Sequence, residues 1–295
     1  MSLDRVLITG GEGQLASDLE VLLASSASAL AAPPRTELDV TDDDAVGRIF
    51  ERVRPEIVFN CAAFHNVEVC EREEDRSFEV NARAVKRLAE RCAEAGARLV
   101  HLSTNYVFSG TRSEPYTEFD RPEPRSIYAI SKLAGEQCAL AYAPGAIVVR
   151  SAALFGLHGS ASKGGNFVTR MIERARSGGT LRMVADQRLS PTYTGDLAPA
   201  LLEAVEAGAS GMLHLTSSGE CSWFEFTQAI LELAGIDAQL EPVETRIPPG
   251  GADRPLNGVL ARPAADAAGL TPLRPWQDAL ADYIAAIRSG LSIAR

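Results

Sequence analysis

The stretch VLITGGEGQLASDLEVLL, from Val6 to Leu23, decides the fold. Its first four residues, Val6–Thr9, form a short apolar strand. A glycine-rich turn follows, and then Leu15, Leu19, Leu22 and Leu23 recur at helical spacing. TGGEGQLA (9–16) therefore leaves a strand and opens a helix. Gly10 and Gly13 fill the first two glycine positions of a T-G-x-x-G-x-x-G turn, where the backbone can approach a pyrophosphate seated on the helix N-terminus. Ala16 takes the third position and is small enough for close packing of helix on sheet. A tight turn with no ligand is the competing reading; the placement directly after the first strand weighs against it.

The same rhythm continues outward. Val46, Ile49, Phe50 and Val53 give 41–53 a helical period, and Ile57–Ala63 is a continuous apolar run, as in a strand covered on both faces. Segment 74–95 puts Phe78, Val85, Leu88 and Cys92 on one helix face, with Gly96 as its stop. Arg98–Ser103 reads as a strand, 128–142 as a helix and Ala146–Arg150 as a strand. Strands alternating with helices predict an α/β chain whose residues 1–150 form a doubly wound parallel Rossmann sheet that binds a dinucleotide. Beyond 150 the rhythm is irregular. GSASKGG (159–165) is loop-like, and Ser222 with Glu225 makes a capping box for a helix over 222–234. Residues 242–275, rich in Pro and Gly, are expected to wrap loosely over the surface, and Asp278–Arg288 is a final amphipathic helix. Residues 151–295 are thus mostly a smaller mixed substrate-binding lobe, with one strand from about 180–215 returning to the sheet.

Composition narrows the function. The chain has 295 residues, 46% hydrophobic and 23% charged, which is ordinary for a globular protein and long enough for about two domains. A net charge of −10 argues against nucleic acid as a partner. No window is apolar for the ~18 residues of a membrane span, and Asp4 and Arg5 interrupt the first apolar stretch, which speaks against a signal peptide. A cytoplasmic location and no membrane partner are expected. The five cysteines lack any CxxC spacing and the four histidines lack any zinc-ligand spacing, so reduced thiols and no metal are expected.

The second strand should end near Arg35. A guanidinium there can pair with the 2′-phosphate of NADPH, where a carboxylate would take the ribose hydroxyl of NADH. NADPH is therefore the expected cofactor and NADH the alternative; a solvated loop arginine is the competing reading. Asp39 and Val40 follow where adenine would rest. Tyr128 and Lys132 stand at i and i+4 on one helix face; with six tyrosines and only three lysines in the chain, that spacing is unexpected by chance. HLSTNYVF (101–108) runs off a strand and sets Ser103 and Thr104 at the sheet edge where α/β proteins bind ligands. Together Thr104, Tyr128 and Lys132 make a carbonyl-reduction site. Tyr128 would protonate the oxygen, Thr104 would hydrogen-bond it as charge develops, and the Lys132 ammonium with an oxidised nicotinamide would favour phenolate.

These motifs carry a resemblance. ITGGEGQLASDL (8–19), RTELDVTD (35–42), LVHLSTNYVFSG (99–110), PYTEFDRPEPRSIYAISKLAGEQ (115–137), DQRLSPTYTGDLA (186–198) and RPLNGVL (254–260) resemble the dTDP-4-dehydrorhamnose reductase family of extended short-chain dehydrogenase/reductases, in order along nearly the whole chain. The resemblance implies reduction of the 4-keto group of a nucleotide-linked 6-deoxysugar by NADPH or NADH, with Thr104, Tyr128 and Lys132 catalytic. It implies that Gly10, Gly13, Gln14 and Leu15 line the pyrophosphate, and that Arg35, Asp39 and Val40 surround the adenosine. Ala62 and Ala63 would lie along the cofactor, and Asn105, Asn166, Phe167 and Arg254 would border the nucleotide-sugar. A homodimer is compatible with it. Some relatives hold a divalent metal through acidic side chains at a dimer interface; Asp18 is one such carboxylate, without a complete set.

The chain also departs from the family pattern. Asn105 stands where Asp is usual, which removes a charge beside the sugar. Ala153 stands where Trp is common, which removes a stacking surface, and Phe64-His65 replaces a usual Tyr-Thr. Ser109 stands where Asp is frequent. An altered sugar pocket beside an intact redox site is expected. Two other readings remain open: a non-catalytic NADP-binding subunit resembling the regulatory subunit of methionine adenosyltransferase, and a nucleotide-sugar epimerase.

Overall fold

The computed structural model describes residues 4–158 and 165–290, so the loop expected over 159–165 lies outside the described residues except for Gly165. Strand and helix alternate as the periodicity requires. Strands β1 (Arg5–Thr9), β2 (Ala29–Ala31), β3 (Ile57–Asn60), β4 (Arg98–Thr104) and β5 (Ile147–Ser151) join the strand Gly211–His214 in one sheet. Its order is Gly211–His214, β5, β4, β3, β1, β2, and every pair is parallel. The chain moves from β1 to β2 on one side and returns to β3 on the other. The crevice of a doubly wound sheet opens at that reversal, beyond the strands' carboxyl ends.

The helices are α1 (Gln14–Leu23), α2 (Asp43–Val53), α3 (Val67–Cys70), α4 (Glu74–Phe78), α5 (Ala84–Ala95), α6 (Ile127–Tyr142), α7 (Phe167–Arg176), α8 (Thr194–Glu206), α9 (Trp223–Ala234), α10 (Pro263–Ala267) and α11 (Trp276–Arg288). Alternate strand residues point to opposite faces. Leu7, Val58, Leu99 and Val148 meet Val46, Leu88 and Ala139 of α2, α5 and α6. Ile8, Ile57, Phe59, Val100 and Val149 meet Leu19 of α1 and Leu201 of α8. The second lobe has its own aromatic core of Phe155, Phe226, Trp276 and Tyr283, gathered by α7, α9 and α11. The expected capping box opens α9: Ser222 Oγ accepts from the Glu225 amide at 3.1 Å and Glu225 Oε2 from the Ser222 amide at 2.6 Å. Among the described residues no helix is long and apolar enough to cross a membrane.

Three expectations need correction. The second strand ends at Ala31, not near Arg35, because Pro33 and Pro34 cannot continue a ladder. The helix expected over 74–95 is interrupted by a π-turn, Glu79–Arg83, between α4 and α5. The turn is held by fully buried Asn81. Its side chain accepts from the Phe64 amide at 2.8 Å and donates to the Phe64 carbonyl at 2.9 Å and to Ser131 Oγ at 3.0 Å. The 242–275 segment is not a loose wrap. Ala252, Asn257, Val259 and Leu260 are buried, and the Asn257 side chain donates to the carbonyls of Arg112, Ser113 and Glu114.

Candidate active site

A cavity of about 340 Å³ opens at the carboxyl edge of the sheet, between sheet and second lobe. That size is within the ~300–1,000 Å³ of small-molecule sites. Gly13, Gln14 and Leu15 from the glycine turn, Ala63 from the loop after β3, Thr104 and Asn105 from the end of β4, Tyr128 and Lys132 from α6, and Asn166 and Phe167 from α7 all line it. Gly10, Arg35, Asp39, Val40, Ala62 and Arg254 are not on its wall.

The glycines have an internal reason beyond that expected of them. Gly10 has φ +71°, and a Cβ there would stand 2.8 Å from the Ala62 nitrogen; at Gly11 it would stand 2.2 Å from the Ala32 carbonyl oxygen. The turn is therefore pressed between the ends of β2 and β3, which leaves α1 opening straight onto the cavity. Gly13 caps α1 and supplies no side-chain acceptor. The first-turn N–H groups of α1 are thus available to an anion, which the helix dipole also favours. Among the described residues, the buried Ser151 Oγ on the cavity wall has no hydrogen-bond partner. The α1 amides and this hydroxyl can donate to a phosphate-bearing cofactor.

Tyr128 and Lys132 share a face of α6, which Ser126 caps: its hydroxyl accepts from the Ala129 amide. The Thr104 hydroxyl lies beside the Tyr128 hydroxyl and favours its charged form. Burial pushes the Tyr128 phenol up, and Thr104 only partly offsets it. Protein groups alone thus hold Tyr128 in its neutral form, opposite to the phenolate expected with a bound nicotinamide. Lys132 donates to the Leu102 carbonyl at 2.6 Å. Its burial brings it down to about 8, with the Glu136 carboxylate opposing. It remains mostly an ammonium at pH 7.

At the end of β4, Asn105 has a structural reason. Its Nδ2 donates to the Gly258 carbonyl at 2.9 Å, and a Cβ on Gly258 would reach within 2.2 Å of that nitrogen. An aspartate there would set an acceptor against an acceptor, so Asn105 anchors the 254–260 segment and is more than a lost charge. Asn166 caps α7: Oδ1 accepts from the Thr169 amide at 3.1 Å, and Nδ2 donates to the Gly156 carbonyl and Tyr283 hydroxyl, each at 2.8 Å. Its polar atoms are thus engaged within the protein although it borders the cavity. Arg254 forms an ion pair with Glu68 at 2.7 Å; its neighbour Pro255 reaches the wall instead. Ala153 faces the cavity at φ +42°. Arg170, Arg188 and Trp223 from the second lobe also line the cavity, and no local sequence signal singled them out. Trp223 packs on Phe167, ring centroids 4.4 Å apart.

Arg35 is exposed and forms an ion pair with Asp39 at 3.1 Å beside a surface hollow shared with Arg76 and Arg83. Burial of Asp39 opposes ionisation, but the Thr41 amide and hydroxyl and Arg35 outweigh it and hold the carboxyl below its usual range. Among the described residues no group of three or more His, Cys, Asp or Glu is placed to hold a metal. The Asp18 carboxyl is instead buried, which pushes it up against its hydrogen bond with Thr194.

The family model described as RmlD substrate binding domain matches residues 4–289. The chain belongs to this family. It is 40% identical to the dTDP-4-dehydrorhamnose reductase of Mycolicibacterium smegmatis over 286 residues, 96% of this chain and 86% of that protein. It is 39% identical to the dTDP-4-keto-6-deoxy-D-glucose reductase of Streptomyces niveus, over 94% of this chain and 95% of that one. Among solved structures, the dTDP-4-dehydrorhamnose reductase of Bacillus anthracis in complex with NADP superposes with TM-score 0.91 at 32% identity, covering 97% of this chain and 99% of that chain. The fold described above is thus shared with that solved relative over nearly the whole chain.

Proposed function

We propose that this chain reduces the 4-keto group of a nucleotide-activated 6-deoxysugar with NADPH. The observation that carries this reading is the Tyr128–Thr104 hydroxyl pair on the wall of the cavity that α1 opens onto. The names and ligand of the similar proteins support it. In this reading the glycine-turn end of the cavity takes the dinucleotide and the α7 and α9 side takes the nucleotide-sugar. Such substrates are water-soluble metabolites, in keeping with a cytoplasmic site of action.

NADPH, when bound, supplies the hydride to the sugar C4. Tyr128 then gives its hydroxyl proton to O4. Burial suits it to that task, because it keeps the proton on the phenol at neutral pH until the oxygen acquires charge. Thr104 donates a second hydrogen bond to the same oxygen. Lys132 holds a fixed positive charge beneath the pair and stabilises the phenolate left behind, until solvent returns the proton. The test is NADPH consumption against a panel of nucleotide-linked 4-ketosugars, with product configuration read by NMR. Turnover of at least one member is expected, and no oxidation above background with any of them overturns the reading.

Arg35 should set cofactor choice. A guanidinium pairs with a 2′-phosphate through two charge-assisted hydrogen bonds worth about 1–3 kcal/mol. Because Asp39 already holds Arg35, the lower end of that range is expected in Arg35→Ala. Titrating NADPH and NADH into both proteins measures it: NADPH affinity falls several-fold and NADH affinity stays. Equal affinities in the parent chain, unmoved by the change, would leave Arg35 a surface residue only.

Ala153 should set the sugar. Relatives of nearly equal identity carry the names of different sugars, and a methyl at this point leaves space where an indole would cover the ring. We expect dTDP-4-dehydrorhamnose to be a poorer substrate than another 4-ketosugar. Ala153→Trp should raise its kcat/KM roughly tenfold, since an aromatic face contributes about 1–3 kcal/mol through buried area. The backbone strain at φ +42° is already present with Ala153. If that sugar is already the best in the panel and Ala153→Trp gains nothing, Ala153 has no part in choosing it.

A further inference from the structure

Beneath Lys132 lies a buried polar chain that the reaction above does not use. His101, on β4, is fully buried. Its Nε2 is 3.4 Å from Lys132 Nζ, its Nδ1 is 2.9 Å from Asn60 Nδ2, and Asn60 Oδ1 accepts from Thr9 Oγ1 on β1 at 2.6 Å. Gly135, one turn from Lys132 on α6, leaves room for the ring, since a Cβ there would meet Nε2 at 3.4 Å and the Asn81 carbonyl oxygen at 2.1 Å.

The donor and acceptor roles follow from Lys132. An ammonium has only donors, so Nε2 attracts it only as an acceptor. The single ring proton of a neutral imidazole must then sit on Nδ1. Asn60 must meet that proton with its oxygen and turn its amide nitrogen to Thr9. This reverses the carboxamide as placed, with its oxygen on Thr9; the two ends of a carboxamide are nearly equal in size, and a threonine hydroxyl accepts as readily as it donates. The opposite arrangement points an Nε2–H at the ammonium.

The charges facing the pair leave this role to a neutral group. Glu136, one turn beyond Lys132, is bound by Arg150 of β5 at 2.7 and 2.8 Å. Cys61, at the end of β3, is a thiol that burial pushes up to about 12, and so is uncharged. Burial and the Lys132 charge both hold His101 well below its usual range. Lys132 therefore has two neutral acceptors from β4, the Leu102 carbonyl and the His101 ring.

We infer that neutral His101 is a positioning residue for Lys132, its Nε2 accepting a hydrogen bond from the ammonium while its Nδ1 proton is held by Asn60 and, through it, Thr9. This rests on the proposed function only in giving Lys132 a task; the contact itself can be read without turnover.

NMR reads it in the full-length chain. The four histidines allow the tautomer of His101 to be assigned from ¹⁵N shifts against His101→Gln, and the three lysines allow Lys132 to be titrated through ¹³Cε. The expected result is an Nδ1–H tautomer at neutral pH. In His101→Phe, Lys132 should titrate lower by about one pH unit, because a hydrogen bond to the charged form has been removed. The alkaline limb of kcat/KM should move down with it. His101→Gln, whose side-chain oxygen can stand where Nε2 stands, should restore both. An Nε2–H tautomer in the parent chain overturns the inference even if the Phe variant fails to fold, as does an unmoved Lys132 titration in a folded Phe variant. Coupling without turnover of any ketosugar would remove the reductase reading alone, and turnover without coupling would remove this inference alone.

Discussion

Tyr128→Phe should lower kcat by about 10²–10⁴-fold, the usual worth of a positioned general acid, and leave NADPH affinity nearly unchanged. The substitution deletes one oxygen and keeps the ring, so the edge-on contact with Tyr106 at 6.0 Å remains. What the folded protein loses is the interaction of that oxygen with Thr104. Stopped-flow turnover beside a cofactor titration separates the two effects. Turnover like the parent chain's would take the proton-donor role away from Tyr128, and a matching loss of cofactor binding would point to collapse of the site.

The largest stability effect should come from Glu136→Ala. Glu136 and Arg150 have side-chain exposures of 0% and 3%. Glu136 Oε1 accepts from Ser103 Oγ at 2.5 Å and Arg150 Nε at 2.8 Å, and Oε2 accepts from Arg150 Nη2 at 2.7 Å. The guanidinium also lies over the Phe108 ring, 4.9 Å from its centroid. Arg150 Nη1 already lacks a partner, so removing the carboxylate strands the cation completely. Breaking such a pair costs about 3–5 kcal/mol, a fall in Tm on the order of 10 °C for a chain of this size. Calorimetry checks it. Glu136→Leu with Arg150→Met should recover much of the loss, because the penalty comes from the unpaired charge and not from the missing attraction. A single variant within about 1 kcal/mol of the parent would mean that water reaches Arg150.

Local periodicity was enough for the sheet and for half of the site. A period-3.6 pattern reports which face of a helix is buried, as in Ala84–Ala95, and a strand of a parallel sheet covered on both faces reads as an unbroken apolar run, as in Ile57–Asn60. The strand–turn–helix of Val6–Leu23 and the i, i+4 placement of Tyr128 and Lys132 are local geometry, so they could be read from spacing alone. So could the Ser222–Glu225 cap, whose partners lie within one helical turn.

The rest depends on contacts between residues far apart in the chain. Glycine at 10 and 11 is required by the nearby Ala62 and Ala32 backbones, which only the sheet brings together. The π-turn at Glu79–Arg83 exists where Asn81 reaches Phe64 and Ser131, 17 and 50 residues away. Asn105 is explained by Gly258, 153 residues on, and His101 meets Lys132 across β4 and α6. The second lobe's share of the cavity, Arg170, Arg188 and Trp223, has no spacing pattern because a binding wall is assembled from elements with unrelated periods. Periodicity records how each segment faces the core. Which hydrogen bonds close across the core is decided only when the packed sheet removes water and leaves buried donors to the protein acceptors within reach.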